Sequence, residues 1–359
     1  MKTNIIEFLS ITKTWGCEKC GSLYLKHDKS SFCPVCGDKH VQEINTNTQY
    51  PEIELILNFH KNVQDYEDKI QNFIQPVKFK TEQLNLNTIK KNGEWVFFPF
   101  WLVDSKANGS WKAEFGFNYL VESSVEHLQH GEWISQKTNE TRIDWKPRQG
   151  TVEKEYSNIS ISALSYYNQL ERIFGSYNLS NDNKSLTDYQ FTNQITLIYP
   201  NIDKNTGWQF AKESLIKKIN SDCQSAAGAQ HTKTFSQQVQ FSDQNWTLLL
   251  LPYFVSHYSD EAGNPYSIWI NGQSLRIQGD RYSSPAKGKQ FGFVFLLISF
   301  VLFLLFLLFG YLSRMSDLVA ILAFFSLLAS IGFLIGSIYS FFYPSNWNKK
   351  NTNTFNKAG

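Results

Sequence analysis

Apolar and polar positions divide the chain into stretches of different character. Phe291 to Leu312 is an uncharged apolar run of 22 residues, and Leu318 to Tyr343 is a second run of 26. At about 1.5 Å per helical residue the shorter one reaches roughly 33 Å, a full hydrocarbon thickness. Only Ser313-Arg314-Met315-Ser316-Asp317 lies between them. The pattern predicts a transmembrane hairpin over 291–343, its helices (291–312 and 318–343) antiparallel and in contact. The second run closes with Tyr339, Phe341, Phe342 and Tyr343, the composition of an interfacial aromatic belt.

Between about 46 and 290 the apolar residues come in short runs broken by Gly, Asn and Asp, which predicts mainly β structure. Trp95–Val103 and Trp111–Phe117 read as two strands joined by a hairpin turn at Asn108-Gly109. Leu248–Val255, a turn around Glu261–Asn264, and Tyr266–Ile270 repeat the order apolar run, proline, aromatic pair, turn, aromatic strand. Pro99 and Pro252 hold equivalent places, so a duplicated β unit, arranged as two related lobes, is one reading of this region. One helix stands out: Asn205 or Thr206 can cap it, and Trp208, Ala211, Leu215, Ile216 and Ile219 succeed one another at helical spacing to about Cys223.

Four of the five cysteines lie in one short segment. Cys17-Glu-Lys-Cys20-Gly21 and Cys33-Pro-Val-Cys36-Gly37 are two CxxCG knuckles separated by twelve residues. Two intervening residues let both thiolates of a tight turn face one ion, and the next residue, glycine, accepts a positive φ. Cys17, Cys20, Cys33 and Cys36 are therefore the expected ligands of one structural zinc ion. His27 and His40 are surplus to a complete thiolate set, and a closed sphere leaves no position for a catalytic water. Trp15, Tyr24 and Phe32 are too few for a core, so the metal is expected to supply most of this module's folding free energy, about 10 kcal/mol.

The expected architecture is multidomain. An N-terminal extension (1–10) precedes a zinc ribbon (11–45), a mainly-β (α+β) region (46–290), the hairpin (291–343) and a tail (344–359).

Charge then narrows the function classes. The 359 residues carry 34 Lys+Arg against 32 Asp+Glu, a formal net charge of +2. Residues 1–45 hold six Lys, no Arg and five carboxylates, which offers no basic stripe for phosphates and argues against nucleic acid. Arg276, Arg281, Lys287 and Lys289 precede the spans and Lys349, Lys350 and Lys357 come after them, whereas the connecting turn has Arg314 alone. That distribution predicts a multi-pass membrane protein with both termini cytosolic. The spans contain no Glu, Lys or His, which argues against an ion or proton path. Gly332, Gly336 and Ser340, with Ser326 and Ala329 nearby, form a small-residue stripe. It fits either packing within the hairpin or a homo-oligomeric contact between chains.

No catalytic residues are assigned. His127 and His130 could share a helix face, but Glu126, Gln129 and Glu132 around them suit a solvated surface. His257 has no nucleophile setting beside it. Ala226-Ala-Gly-Ala229 lacks the GK[ST] ending of a phosphate loop. Cys223 reads as a small apolar residue.

The ordered set of the ribbon, Pro99-Phe100-Trp101, Arg142-Ile-Asp-Trp145-Lys-Pro147-Arg-Gln-Gly150-Thr, Leu251-Pro252-Tyr253 and Ile270-Asn-Gly-Gln273 with Gly279-Asp-Arg-Tyr-Ser283 after it resembles a bacterial group of membrane-anchored zinc-ribbon proteins. Their ribbons carry labels of the transcription-factor-IIB or primosomal-protein type. The resemblance implies a role at the membrane under envelope stress, with SPFH or phage-shock-like proteins as partners. The expectation is a non-enzymatic adaptor that presents its β-rich region to membrane-associated proteins. A membrane-tethered nucleic-acid-binding ribbon protein and an enzyme with an unrecognised site in the β region are the alternatives.

Overall fold

The computed structural model describes residues 5–28, 32–45, 49–59, 62–166, 171, 175–179, 183–185, 195–312 and 316–352. The elements in chain order are α1 (Ile5–Ile11), β1 (Lys13–Cys17), β2 (Leu23–Lys26), β3 (Val41–Glu43), β4 (Leu55–Leu57), α2 (Val63–Ile74), α3 (Leu86–Lys91), β5 (Glu94–Gln129), β6 (Glu132–Ser162), β7 (Asn183–Ser185), β8 (Ile195–Ile198), α4 (Lys204–Ala226), β9 (His231–Ser259), β10 (Pro265–Asn271), β11 (Ile277–Gly279), α5 (Pro285–Leu312) and α6 (Asp317–Asn351). The strands form one eleven-stranded sheet in the order β11-β10-β9-β5-β8-β2-β1-β3, with β6 added to β5 and β4 lying between β9 and β7.

The spine of the sheet corrects the first expected hairpin. Trp95–Val103 and Trp111–Phe117 are parts of the single strand β5, and no turn forms at Asn108-Gly109. Asn108 pairs with Glu153 on one side and Gln240 on the other. The turn signal loses because hydrogen-bonded strands flank it on both edges. Gly109 instead permits close approach: a Cβ there would lie 2.1 Å from the carbonyl oxygen of Gln238. The chain reverses at His130-Gly131, where φ is +54° and +86°, the two positive angles of a type I′ turn. The later hairpin forms as expected, with Pro265 opposite Ser259 and Asn271 opposite Tyr253.

Each proline marks the point where a long strand changes neighbours. On one side β5 pairs with β8 through Trp95–Phe97 and with β6 from Phe100 onward, and Pro99 lies in the gap. β9 pairs with β4 at Leu249 and Leu250 and with β10 from Tyr253, and Pro252 lies in that gap. A residue without an N–H costs no ladder bond there. The equivalence of Pro99 and Pro252 is real in this sense, although the strands beyond them differ: β5 runs on for thirty residues after Pro99 and β9 turns back after seven beyond Pro252.

Side-chain alternation puts a core on each face. Phe97, Trp101, Val103, Ala113 and Phe115 face α4, whose Ala211, Leu215, Ile219 and Cys223 are buried against them. Asp203 is the N-cap of α4, its carboxylate accepting from the Thr206 amide at 2.7 Å, so the cap lies two residues before Asn205. Ala227 and Gly228 (φ +66°) end that helix, which accounts for Ala226–Ala229 without a phosphate. The even face, Val96, Phe98, Phe100 and Leu102, packs against Trp15, Cys17, Tyr24 and Cys33 of the cysteine segment.

That segment is not a separate body. β2 pairs antiparallel with β8 over Tyr24↔Ile198 to Lys26↔Thr196, which places β1, β2 and β3 in the common sheet. The aromatic residues judged too few for a core borrow one from β5, β9 and β10. A third cluster forms where Tyr66, Ile70 and Ile74 of α2 and Ile89 of α3 cover Tyr258, Ile268 and Ile270. α1, α2 and α3 were not anticipated; α1 falls mostly within the stretch read as an extension.

Candidate metal centre, membrane hairpin and projecting arm

The four knuckle cysteines converge. Their sulfurs lie within 4.8 Å of one another, with Cys17 Sγ to Cys36 Sγ and Cys20 Sγ to Cys33 Sγ both at 3.6 Å. All five cysteines are free thiols. Sulfurs about 2.3 Å from a tetrahedral ion stand roughly 3.8 Å apart, so these residues fit one metal ion. Local structure explains the convergence. The amides of Gly21 and Gly37 donate to the carbonyls of Cys17 and Cys33 at 2.9 and 2.8 Å, and both glycines take positive φ (+69° and +74°).

Electrostatics favour a cation. Hydrogen bonds from the Cys33 and Cys36 thiols pull the Cys20 thiol far below its usual range. The hydrogen bond with Cys20 pushes Cys33 up strongly, aided by burial, and pushes Cys36 up to about 12. The cluster by itself tolerates one thiolate at the expense of its neighbours, and a bound dication removes that conflict.

The remaining titratable residues of interest do not converge on chemistry. His127 is in β5, not on a helix, and His130 is in the turn at the exposed tip. His27 and His40 hydrogen-bond Asp28 and Asp38 rather than entering the cluster. Cys223 packs under the sheet. His257 is the surprise: it is buried beneath the second knuckle, Nδ1 lies 2.9 Å from Ser267 Oγ, and a Cβ on Gly37 would stand 3.1 Å from it. Burial, and secondarily the Lys26 charge, lowers its pKa to about 4, so it is a neutral packing residue under the metal loop. Only tertiary structure brings it there, since 220 residues separate it from Gly37.

Two described helices, α5 and α6, are long and apolar enough to cross a membrane. Their outward residues, such as Phe293, Leu297, Phe300, Phe325 and Ile335, are exposed. Their seam is polar and small. Ser299 and Ser330 donate to each other's carbonyls at 2.8 and 2.9 Å, and Ser337 donates to the Gly292 carbonyl at 2.8 Å. Gly336 lies against Phe295 and Ser340 is buried, whereas a Cβ on Gly332 would meet nothing within 4 Å. Gly288 and Gly292 of the first span, overlooked in the sequence, supply the close approach: a Cβ on Gly288 would stand 2.7 Å from the Ser340 carbonyl oxygen. Residues 313–315 of the expected turn, including Arg314, lie outside the described residues.

The first part of the stretch read as a tail is tied to the sheet. α6 continues through Pro344 to Asn351. Asn348 exchanges hydrogen bonds with the backbone of Ser283 at 2.8 and 2.9 Å. Arg281 stacks between Phe73 and Trp347 at 5.0 and 5.3 Å, and its Nη2 donates to Asn351 Oδ1 at 2.5 Å. The Gly279–Ser283 motif is thus the joint between sheet and hairpin.

At the far end the sheet thins to a two-stranded arm. β9 covers β5 only as far as Gly116, beyond which β5 and β6 continue alone to the His130-Gly131 turn. Thirteen more residues per strand reach about 43 Å. Tyr119, Leu120, Val125, Leu128, Trp133 and Ile134 are exposed along it, Leu120 and Trp133 at 70% and 69%.

No protein-family model matches this chain, and neither a curated protein nor a solved structure does.

Proposed function

We propose that the chain is a non-enzymatic, membrane-anchored adaptor. A zinc-stapled sheet holds the arm out to membrane-associated proteins. The observation that carries this reading is the arm itself. An isolated two-stranded hairpin is marginal in water, and this one keeps Leu128 and Trp133 at its tip, 59% and 69% exposed, where they contribute nothing to the sheet's own cores. Such side chains are retained for something that covers them. The resemblance in ordered motifs suggests SPFH or phage-shock-like proteins as that partner and envelope stress as the setting.

Zinc is the metal this reading assigns to Cys17, Cys20, Cys33 and Cys36. Four thiolates suit a soft, tetrahedral ion in a structural role. Elemental analysis of the purified protein should give one zinc per chain. For the membrane we infer a multi-pass protein of the bacterial inner membrane with the sheet and both termini in the cytosol. Lys78, Lys287, Lys289, Lys349 and Lys350 collect at the open end of the hairpin beside the sheet, which supports that orientation. A cysteine in place of Ser313 should react with an impermeant thiol reagent on intact cells; reaction only after lysis would reverse the orientation.

The adaptor reading is tested by affinity capture from gently solubilised membranes with wild type and with Leu128→Ser/Trp133→Ser. The variant should keep its zinc and its thermal stability and lose the captured proteins. Capture identical to wild type would remove the arm tip as the docking surface.

A further inference from the structure

β6 has a neighbour on one side only. It pairs with β5 from Ser162 to Glu132, and no other described strand lies on its outer edge. An open edge of this length is a template for another strand, and proteins ordinarily blunt it with charge or proline. Here both devices occur, and in a particular order. Pro147 pairs with Glu114; lacking an N–H, it fits the ladder only with its nitrogen turned away from β5. Residues 141, 143 and 145 therefore also turn their backbone groups outward. Just before this proline the chain reads Glu140-Thr-Arg142-Ile143-Asp144-Trp-Lys146, a charge pattern that inverts its sign about Ile143. All four charges share one face of the strand and neutralise each other along it, Arg142 to Glu140 at 3.4 Å and Lys146 to Asp144 at 2.8 Å. The other face carries Ile143 and Trp145, 39% and 36% exposed.

We propose that two copies of this chain associate by antiparallel pairing of their β6 outer edges about a two-fold axis at Ile143. Arg142 of each copy then stands opposite Asp144 of the other, and Glu140 opposite Lys146. Because 142 and 144 face inward in their own ladder, these pairs fall at the non-hydrogen-bonded positions of the new one, where side chains are closest. Each of Arg142 and Asp144 then has opposite charges on both sides along its strand and a third across the interface. On the other face Ile143 meets its own copy and Trp145 meets Thr141. The register is selected as well as permitted. Moving the axis one residue either way sets Arg142 against Arg142 or Asp144 against Asp144. Pro147, opposite Asn139 of the second copy, brackets a seven-residue window, so the edge closes as a dimer and does not extend. This contact uses the base of the arm and leaves the tip free, so it stands or falls independently of what the tip binds.

The test uses the full-length protein in detergent micelles. Wild type should be a dimer at micromolar concentration by sedimentation equilibrium. Ile143→Cys should give a covalent dimer on mild oxidation, because directly opposed residues lie about 5.5 Å apart, within disulfide reach. Thr138→Cys should not, since its two copies would be ten residues, roughly 34 Å, out of step. Arg142→Asp should weaken association about tenfold or more, and Arg142→Asp with Asp144→Arg should recover to within about threefold of wild type. A monomeric wild type, crosslinking at 143 no better than at 138, or a charge-swapped double variant no better than the single one would each overturn the proposal. A dimer that ignores Arg142→Asp would do the same, by placing the contact elsewhere, for instance at Gly332 in the second span.

Discussion

Two antiparallel hairpins project from this sheet, and both leave large apolar side chains uncovered. Over 291–312 of α5 and 318–343 of α6 the helices carry no charge, the backbone satisfies itself, and among the described residues the seam is bonded by serines across or along it. In the arm of β5 and β6, apolar residues are interleaved with Glu122, Glu126, Lys137, Glu140 and Arg142, and β6 keeps an open edge. The same exposure therefore has different meanings. A helix pair with internal hydrogen bonds and no charge suits hydrocarbon, whereas a charged strand with unpaired backbone suits water and another protein. What tells the two apart is not hydrophobicity but where the backbone bonds go.

The largest expected effect comes from disrupting the candidate metal centre. Cys33→Ser should abolish metal binding and, because Cys33 and Trp15 share a core with Phe98 and Trp269, should lower stability by about 4 kcal/mol or more. Unfolding should reach β2 and β8 while α5 and α6 still insert. Elemental analysis and thermal melts decide this; a mutant that keeps one metal per chain would contradict the ligand set.

Acidification should act on the same region. His257 is held near 4 in the fold against about 6.5 when unfolded, so the unfolded chain takes the proton first. Its contribution is complete above pH 6.5 and is lost as pH falls from 6.5 towards 4, about 3 kcal/mol in all. The denaturant midpoint of metal-loaded wild type should fall more steeply across that window than that of His257→Gln; parallel slopes would refute the assignment.

Within the hairpin of α5 and α6 the contrast is between two glycines. Gly288→Val must displace the Ser340 backbone and should cost about 1–3 kcal/mol in detergent unfolding. Gly332→Val meets nothing in its own chain and should be neutral; a comparable loss there would place a second chain against that face. Ser330→Ala, which removes one hydrogen bond across the seam, should cost only about 0.6 kcal/mol.

Much of this protein was legible in its sequence, for reasons that differ from residue to residue. The two long apolar helices could be read because twenty consecutive apolar residues are a local fact of the sequence. The convergence of the four cysteines could be read because each CxxCG knuckle is closed within five residues. The helix 204–226 was found by period, its cap mislocated by two residues. Asn108-Gly109 misled because a local turn preference is worth little against ladders on both edges, and His130-Gly131 was missed because the positive φ at His130 is enforced by the pairing of 128 with 133. The docking of 344–351 was not legible because the contacts of Asn348 and Asn351 with Arg281 and Ser283 join residues about 65 to 70 apart.

By itself, then, the chain's order of residues determined which segments are apolar enough to cross a membrane, which sulfurs converge, and that β structure lies between them. All of these depend on neighbours within about twenty positions. Tertiary structure alone decided that the cysteine segment is stitched into the large sheet, that His257 lies beneath its second knuckle, and that β5 and β6 outrun β9 to leave an arm with an open, charge-inverted edge. Pairing between strands is set by the free energy of the whole sheet, where many weak ladder bonds and two shared cores outweigh any single turn or cap.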